Sequence, residues 1–184
     1  MIPQDFGFCI CDFETTGVDT ENDFPIEVGC IFTDSNFVFR GSYESLICHE
    51  HVLGSQTPNG DWPERWQQAF RVHKIPFKEV IGASDAIVVT SVISEIVLDL
   101  KKTFGLSRVI LVSDNAQFEY RFMKRLFEAG VNKFPFHYCA WDTSLLLELT
   151  DVGDPKAEHR AFADASLLYK ALIQAMDRIS RPGG

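Results

Sequence analysis

The sequence lacks several features that would define other classes of protein. It has no run of eighteen apolar residues, so no membrane span is expected. Its N-terminus lacks a basic stretch followed by an apolar run and a small-residue cleavage site, which predicts a protein that is not secreted. It also has no repeats, low-complexity segments or obvious linkers. Residues 1–180 are therefore expected to form a single domain, and residues 181–184 a frayed C-terminal tail.

Basic residues are few. The chain has 17 Lys and Arg against 26 Asp and Glu, a formal net charge of −9. This argues against a protein that holds nucleic acid by a broad basic face. It does not argue against an enzyme that gathers carboxylates to bind cations. Two bound divalent ions would change −9 to −5 and could invert the potential where a phosphate sits.

Cysteine is present in an odd number, without the spacing of a zinc site or a disulfide framework. All five residues lie in apolar, strand-like segments, so we expect reduced, buried thiols of a cytoplasmic, intracellular protein. The 16 Phe residues, an unusually high count, favour a Phe-rich core over a base-stacking surface. The cysteines are Cys9, Cys11, Cys30, Cys48 and Cys139.

The first half of the chain has the pattern of strands. Residues 6–13 are apolar on both alternating faces, as in a central strand buried on two sides. Residues 26–33 and 37–48 are rich in Val, Ile, Phe and Tyr, and Asp-Ser-Asn at 34–36 predicts the turn between them. Three such strands in succession predict an antiparallel meander.

The second half alternates helices with two further strands, which predicts an α/β domain with a mixed five-stranded sheet flanked by helices. A Leu-rich helix is expected to begin at Asp142-Thr143, with Asp142 as its cap rather than as a metal ligand. The other predicted helices are 62–71, 91–104 before Gly105, 116–129 before Gly130, and 161–179; the strands are 108–112 and 136–141.

Two carboxylates end the first strand. Residues 12–17 are Asp-Phe-Glu-Thr-Thr-Gly. Asp12 and Glu14 are two positions apart, so both side chains point to the same face of the strand. Two uncompensated charges there would be costly, and a multivalent cation would compensate them. Alternatively, the strand has reached solvent at Asp12 and an ordinary turn follows.

Two later segments carry further candidate residues. Residues 159–165 are His-Arg-Ala-Phe-Ala-Asp-Ala, and Asp164 lies on the otherwise apolar face of the last helix. His159 is expected in the loop before that helix, free to reach over a site. In the helix from residue 116, Glu119 borders the apolar stripe and can face a cleft. Alternatively, His159 is a surface residue, Asp164 a first-turn acid favoured by the helix dipole, and Glu119 a solvated acid.

The order and separation of these three segments resemble the motifs of the DEDDh exonucleases, a family that includes proofreading subunits of DNA polymerases and oligoribonuclease-like enzymes. The resemblance covers nearly the whole chain. His73-Lys74-Ile75 is similar to the family's intermediate His-Gly-Ile segment, with Lys in place of the usual Gly. Asp142-Thr143 is similar to the Asp-Thr pair that follows the family's last strand.

The second motif departs from the family pattern in two ways. Its acid is normally Asp, whereas here it is Glu119, which reaches one methylene further. The family often has His before the Asn, whereas this chain has Asp114 before Asn115. Asp114 is therefore the alternative acid if Glu119 does not reach the metals, and weakened activity is one expected consequence.

The resemblance implies a ribonuclease-H-like fold and a 3′→5′ exonuclease that uses two divalent cations, Mg²⁺ or Mn²⁺. Asp12 would bridge both ions, Glu14 and Asp164 would complete one, and Glu119 would act on the other. His159 would be the general base, because an imidazole titrates near neutrality. The residues expected at the terminal nucleotide are Phe13, Thr15, Thr16 and Asn115, with Phe13 either packing on the base or belonging to the core.

The expected partner is a nucleic acid with a free 3′ end, either DNA or RNA, and a protein partner is compatible with so small a chain. Two other functions remain open at this point. One is a catalytically weak nucleic-acid-binding or polymerase-accessory module on the same fold. The other is a phosphodiesterase on the same scaffold that acts on dinucleotides or poly(A)-like ends.

Overall fold

A computed structural model describes residues 3–55, 59–152 and 158–180, and the predicted tail at 181–184 lies outside these residues. Each predicted helix and strand is present; the helix at 116–129 has the predicted bounds, and the bounds of the others are altered. In chain order the elements are β1 (Phe6–Thr15), β2 (Pro25–Thr33), β3 (Phe39–Cys48), α1 (Glu50–Leu53), a 3-10 turn (Glu64–Trp66), α2 (Gln67–His73), α3 (Phe77–Ile81), β4 (Ser84–Asp85), α4 (Ala86–Phe104), β5 (Arg108–Ser113), α5 (Ala116–Ala129), β6 (Ala140–Asp142), α6 (Ser144–Leu149) and α7 (Ala161–Ser180).

The strands form one mixed sheet in the order β4-β3-β2-β1-β5-β6. β1, β2 and β3 are the predicted antiparallel meander. β5 is parallel to β1, and β6 is parallel to β5. The α/β class and the ribonuclease-H-like arrangement are thus as predicted, with β1 and β2 at the centre of the sheet.

Strand alternation in β1 divides the core between two faces of the sheet. The odd-numbered residues from Cys9 to Phe13 pack with α4 and α5. The even-numbered Phe8 and Ile10 pack with Leu168 and Leu172 of α7. A smaller apolar cluster beneath α1–α3 is centred on Trp62 and Trp66. The core is rich in Phe, as predicted. Eight Phe residues are buried: Phe8, Phe13, Phe32, Phe37, Phe77, Phe122, Phe127 and Phe136.

The prediction of five strands is wrong by one, because the described residues include a sixth, β4. It has only two residues, which pair in parallel with Ile47 and Cys48. The last strand is also shorter than the predicted 136–141. The backbone N–H of Cys139 donates to Nδ1 of His137 (3.2 Å), so the ladder with β5 begins only at Ala140.

The helix predicted at 91–104 begins five residues earlier, at Ala86. Its N-cap is Asp85, whose carboxylate accepts a hydrogen bond from the N–H of Ile87 (2.8 Å). The buried face of α4 includes Ala86, Val89 and Ile93, so tertiary packing outweighs the β-branched composition of this first turn. No helix in the described part of the chain is long and apolar enough to span a membrane.

One cysteine is not where the sequence predicted. Cys9, Cys11, Cys30 and Cys48 are buried free thiols, but Cys139 is exposed. Cys139 lies just before the short strand β6, whose pairing with β5 begins at Ala140. The prediction of burial from its apolar neighbours in sequence is therefore wrong for Cys139.

Candidate active site

Asp12 and Glu14 lie at the carboxyl end of β1 on one face of the strand. Pairing with β5 ends at Ile10, so β1 carries both acids beyond the shared ladder. Burial, followed by the charges of Glu14 and Asp164, raises the pKa of Asp12 well above its usual range. Burial and the charge of Asp164 raise the pKa of Glu14 to about 7. The two carboxylates therefore lie where negative charge is poorly compensated.

Gly29 lets the first turn of α7 approach these acids. It is paired with Asp12 across the β1–β2 ladder. A Cβ atom on Gly29 would lie 2.4 Å from the carbonyl carbon of Ala161 and from the Cα of Phe162. Because no side chain is present, the backbone of α7 packs directly on β2, and Asp164 follows one turn later beside β1.

Asp164 and His159 are joined through the loop before α7. The Asp164 carboxylate accepts hydrogen bonds from the backbone N–H groups of Glu158 (2.6 Å) and His159 (2.9 Å). His159 is exposed, as predicted for the loop, and has a positive φ of 57°. One ligand atom each from Glu14, His159 and Asp164 lie within 4.8 Å of one another. Residues from the two ends of the chain therefore form one cluster.

Glu119 is more buried than the sequence predicted. It was expected at the border of the apolar stripe of α5, but its side chain is only 4% exposed and Phe118 is the half-buried residue instead. Its Oε2 atom is buried without a hydrogen-bond partner. Burial and the charge of Asp12 raise the pKa of Glu119 well above its usual range. Asp114, the alternative acid, is exposed at the end of β5.

The residues predicted to hold a nucleotide are engaged within the protein to different degrees. The Phe13 ring is buried in the core between β1 and α5, so in this structure it is not available to stack on a base. The Thr15 hydroxyl donates to the carbonyl of Gly17 (2.6 Å), and the Thr16 hydroxyl donates to Asp23 (3.2 Å). Asn115 is exposed at the start of α5, with no side-chain capping bond. Nucleotide binding by these residues remains a prediction.

The two secondary segments have clear structural roles. Lys74 ends α2 with φ 57°, in the left-handed region that favours glycine. This conformation accounts for the Gly that is usual at the middle position of the His-Gly-Ile segment. The Asp142 carboxylate accepts from the N–H groups of Ser144 (3.1 Å) and Ala116 (3.1 Å). Asp142 therefore caps α5 as well as α6, although the N-cap position of α6 is Thr143.

The structure adds two residues that the sequence motifs do not single out, Glu27 and Arg160. Glu27 is paired with Glu14 across the β1–β2 ladder and is 6% exposed. Arg160 forms an ion pair with Glu27, with Nη2 2.6 Å from Oε1. The available signal was an isolated acid inside the apolar run at 26–33, since a buried carboxylate in a central strand requires a partner.

The acids fit a site for divalent cations. Asp12, Glu14 and Glu119 are oxygen donors at one end of the sheet, and burial raises the pKa of all three. The Glu119 oxygen without a hydrogen-bond partner leaves a buried acceptor unsatisfied. Hard cations such as Mg²⁺ and Mn²⁺ prefer carboxylate oxygens. A cation here would compensate the charges that the protein itself leaves uncompensated.

The structure is similar to solved structures of exonucleases. The zinc-bound form of the E. coli ExoI–ssDNA complex matches with a TM-score of 0.58 at 15% identity, over 96% of this chain and 41% of that chain. A full-length 3′-exonuclease matches with a TM-score of 0.64 at 13% identity, over 96% of this chain and 62% of that chain. The nuclease domain of 3′hExo, described as a DEDDh family member bound to rAMP, matches with a TM-score of 0.60 at 13% identity, over 93% and 92%.

These similarities establish the fold. The chain has the ribonuclease-H-like fold of these exonuclease structures, as the resemblance implied. It spans about two fifths of the length of ExoI and nearly all of the 3′hExo nuclease domain. No family model and no curated protein matches the sequence.

Proposed function

We propose that this protein is a metal-dependent 3′→5′ exonuclease that hydrolyses phosphodiester bonds at the 3′ end of DNA or RNA. The observation that carries the proposal is the convergence of acids from β1, α5 and α7. Burial, with the charges of Glu14 and Asp164, raises the pKa of Asp12, and burial, with the charge of Asp12, raises that of Glu119. These acids are the residues that the three motifs single out, and they lie on a fold shared with exonucleases.

Asp12, Glu14, Asp164 and Glu119 would hold two divalent cations, Mg²⁺ or Mn²⁺. When bound, such ions stabilise negative charge on the attacking and leaving oxygens of the phosphodiester. Glu119 is preferred to Asp114 as the fourth acid, because Glu119 is buried with an oxygen that lacks a partner while Asp114 is exposed. The extra methylene of Glu119, compared with Asp, extends the reach of its carboxylate from the buried face of α5 towards the other acids.

His159 would act as general base, taking the proton of the attacking water. Three features support this role: its exposure, its position over Glu14 and Asp164, and the hydrogen bond that fixes its backbone to Asp164. The exposed amide of Asn115 and the backbone around Thr15 and Thr16 would contact the terminal nucleotide. The Phe13 ring has no part in this proposal, because it is buried in the core.

The expected substrate is a DNA or RNA with a free 3′ end. ExoI is solved with single-stranded DNA and a 3′-exonuclease with the stem-loop of histone mRNA, so the fold accommodates both polymers. Because the chain has a net charge of −9, we expect substrate binding to depend on the metal centre and a short groove rather than on a broad basic surface. Affinity is therefore expected to depend on divalent cations.

The direct test incubates matched 5′-labelled DNA and RNA oligonucleotides with the protein in Mg²⁺, in Mn²⁺ and in EDTA. The proposal predicts a ladder of products shortened from the 3′ end, released mononucleotides, and no reaction in EDTA. A 3′-phosphate on the substrate should slow the first cleavage. Binding without any cleavage in either metal would contradict the proposed enzymatic activity and support a polymerase-accessory module. This alternative is specific, because the chain has Glu119 where the second motif normally has Asp.

A further inference from the structure

Glu27 is a buried acid whose two oxygens are both bound by the segment that precedes and begins α7. The Nε atom of Arg160 donates to Oε1 (3.0 Å) and Oε2 (3.2 Å), and its Nη2 donates to Oε1 (2.6 Å). The backbone N–H of Ala161 donates to Oε2 (2.9 Å). One carboxylate of β2 therefore holds both a side chain and the first backbone amide of the helix.

These contacts fix the residues on either side of His159. On the C-terminal side, Glu27 holds Arg160 and Ala161 against the sheet. On the N-terminal side, the Asp164 carboxylate holds the N–H groups of Glu158 and His159. His159 itself has φ 57°, a conformation that L-residues rarely adopt and that persists only when surrounding contacts hold it.

The geometry points to the Glu27–Arg160 pair as a positioning clamp that holds His159 over Glu14 and Asp164. The inference rests on the proposed function for the role of His159 and goes beyond it by assigning two residues that touch neither substrate nor cations. The planar fork of Arg160 suits this role, because two parallel donors fix orientation where a lysine ammonium would not. Glu27 and Arg160 are thus positioning residues.

The test compares Arg160→Met with Arg160→Lys and with a matched control, Arg40→Met. Arg40 forms a similar pair with the buried Asp34 at the other end of β2, away from the acids. Arg160→Met should lower kcat by about 10–100-fold, because a displaced general base is costly, with KM and Mn²⁺ affinity nearly unchanged. Arg160→Lys should recover part of the loss, and Arg40→Met should leave kcat unchanged.

A double variant separates positioning from a general structural effect. If Arg160 acts through His159, then adding Arg160→Met to His159→Ala should lower kcat by less than about twofold further. Independent losses that multiply, or an equal loss in Arg40→Met, would overturn the clamp. A loss of Mn²⁺ affinity as large as the loss of kcat would also overturn it.

Hydrogen exchange provides a readout that does not depend on nuclease activity. The amides of His159 and Ala161 should be protected in the wild type, and Arg160→Met should accelerate their exchange while Arg40→Met does not. If the wild type proves inactive, the proposed function fails and exchange alone decides whether the clamp exists. Unchanged protection in Arg160→Met would overturn the clamp whether or not the protein is a nuclease.

Discussion

Gly29 lies opposite Asp12 in the β1–β2 ladder, and the backbone of α7 occupies the space that a side chain on Gly29 would need. In this pair, Asp12 is a candidate metal ligand, and Gly29 allows the close approach of α7, which carries the next candidate ligand. A helix that begins against Gly29 places Asp164 beside β1. The spacing of the acids thus depends on a residue that has no functional group.

Gly29→Ala should disrupt this approach. Its Cβ would lie 2.4 Å from backbone atoms of Ala161, which cannot rotate away as a flexible side chain could. Overpacking of this kind costs about 1–3 kcal/mol, and the displaced helix should also abolish activity. Urea denaturation and the oligonucleotide assay measure the two effects. Gly41→Ala is the matched control on β3, because a Cβ there meets nothing within 4 Å, and it should change stability little.

The contribution of Asp12 and Glu14 to the stability of the metal-free protein should fall as pH rises. The pKa of Glu14 is about 7 in the folded protein against an ordinary value of 4.5. The folded state therefore binds its proton more tightly, and the associated stability is fully present below about pH 4.5 and is lost as pH rises through about 7. The raised pKa of Asp12 acts in the same direction. The buried imidazoles of His49 and His73, whose pKa is lowered to about 4, act in the opposite direction below about pH 6.5. Thermal melting of the wild type and of Asp12→Asn/Glu14→Gln in EDTA across this range measures the effect, because the variant retains both histidines.

Mn²⁺ should reverse that loss. Binding favours the deprotonated acids, so Mn²⁺ should raise the melting temperature more near pH 8 than near pH 5. The double variant Asp12→Asn/Glu14→Gln should show little response to Mn²⁺ at either pH. An equal Mn²⁺ response in this variant and the wild type would show that the ions bind elsewhere.

Glu119→Gln tests the second-motif acid. Removing a buried carboxylate that has one oxygen without a hydrogen-bond partner should stabilise the metal-free protein at neutral pH by about 1 kcal/mol and should lower both Mn²⁺ stabilisation and activity. Glu128→Gln is the control on the same helix. Its exposed pair with Lys124 (3.9 Å) should contribute under about 1 kcal/mol. A fully active Glu119→Ala enzyme would transfer the role to Asp114.

Lys74→Gly should stabilise the protein. Lys74 has φ 57°, a conformation that glycine adopts without the steric cost of a Cβ, so the gain should be about 1 kcal/mol. Lys102→Gly within α4 should have the opposite sign, because glycine inside a helix costs about 1 kcal/mol. Paired urea denaturation curves measure both. If Lys74→Gly instead destabilises the protein, the contacts of the Lys74 side chain contribute more stability than its left-handed backbone conformation costs.

The order of the elements could be predicted because it depends on local patterns. The apolar run of β1, the turn after β2 and the helical stripe of α5 are visible over short windows of sequence. Glycines 105 and 130 correctly marked the ends of α4 and α5. These features do not depend on what lies across the sheet.

Features that depend on tertiary contacts could not be predicted. β4 exists only because Ser84 and Asp85 lie beside β3, and β6 is short because the His137 imidazole takes the N–H of Cys139. In the site, the motifs singled out the acids and His159. They did not indicate Glu27 and Arg160, which meet across 133 positions of sequence. The Glu119 side chain also lies deeper than periodicity alone predicted.

The central claim is that Asp12, Glu14 and Asp164 jointly hold divalent cations. Anomalous diffraction from a crystal grown in Mn²⁺ tests it most directly. The account predicts manganese peaks bounded by oxygens of these three carboxylates, with Glu119 directed at the same site. Carboxylates that point to separate places, with no manganese peak among them, would contradict the metal centre and the nuclease built on it.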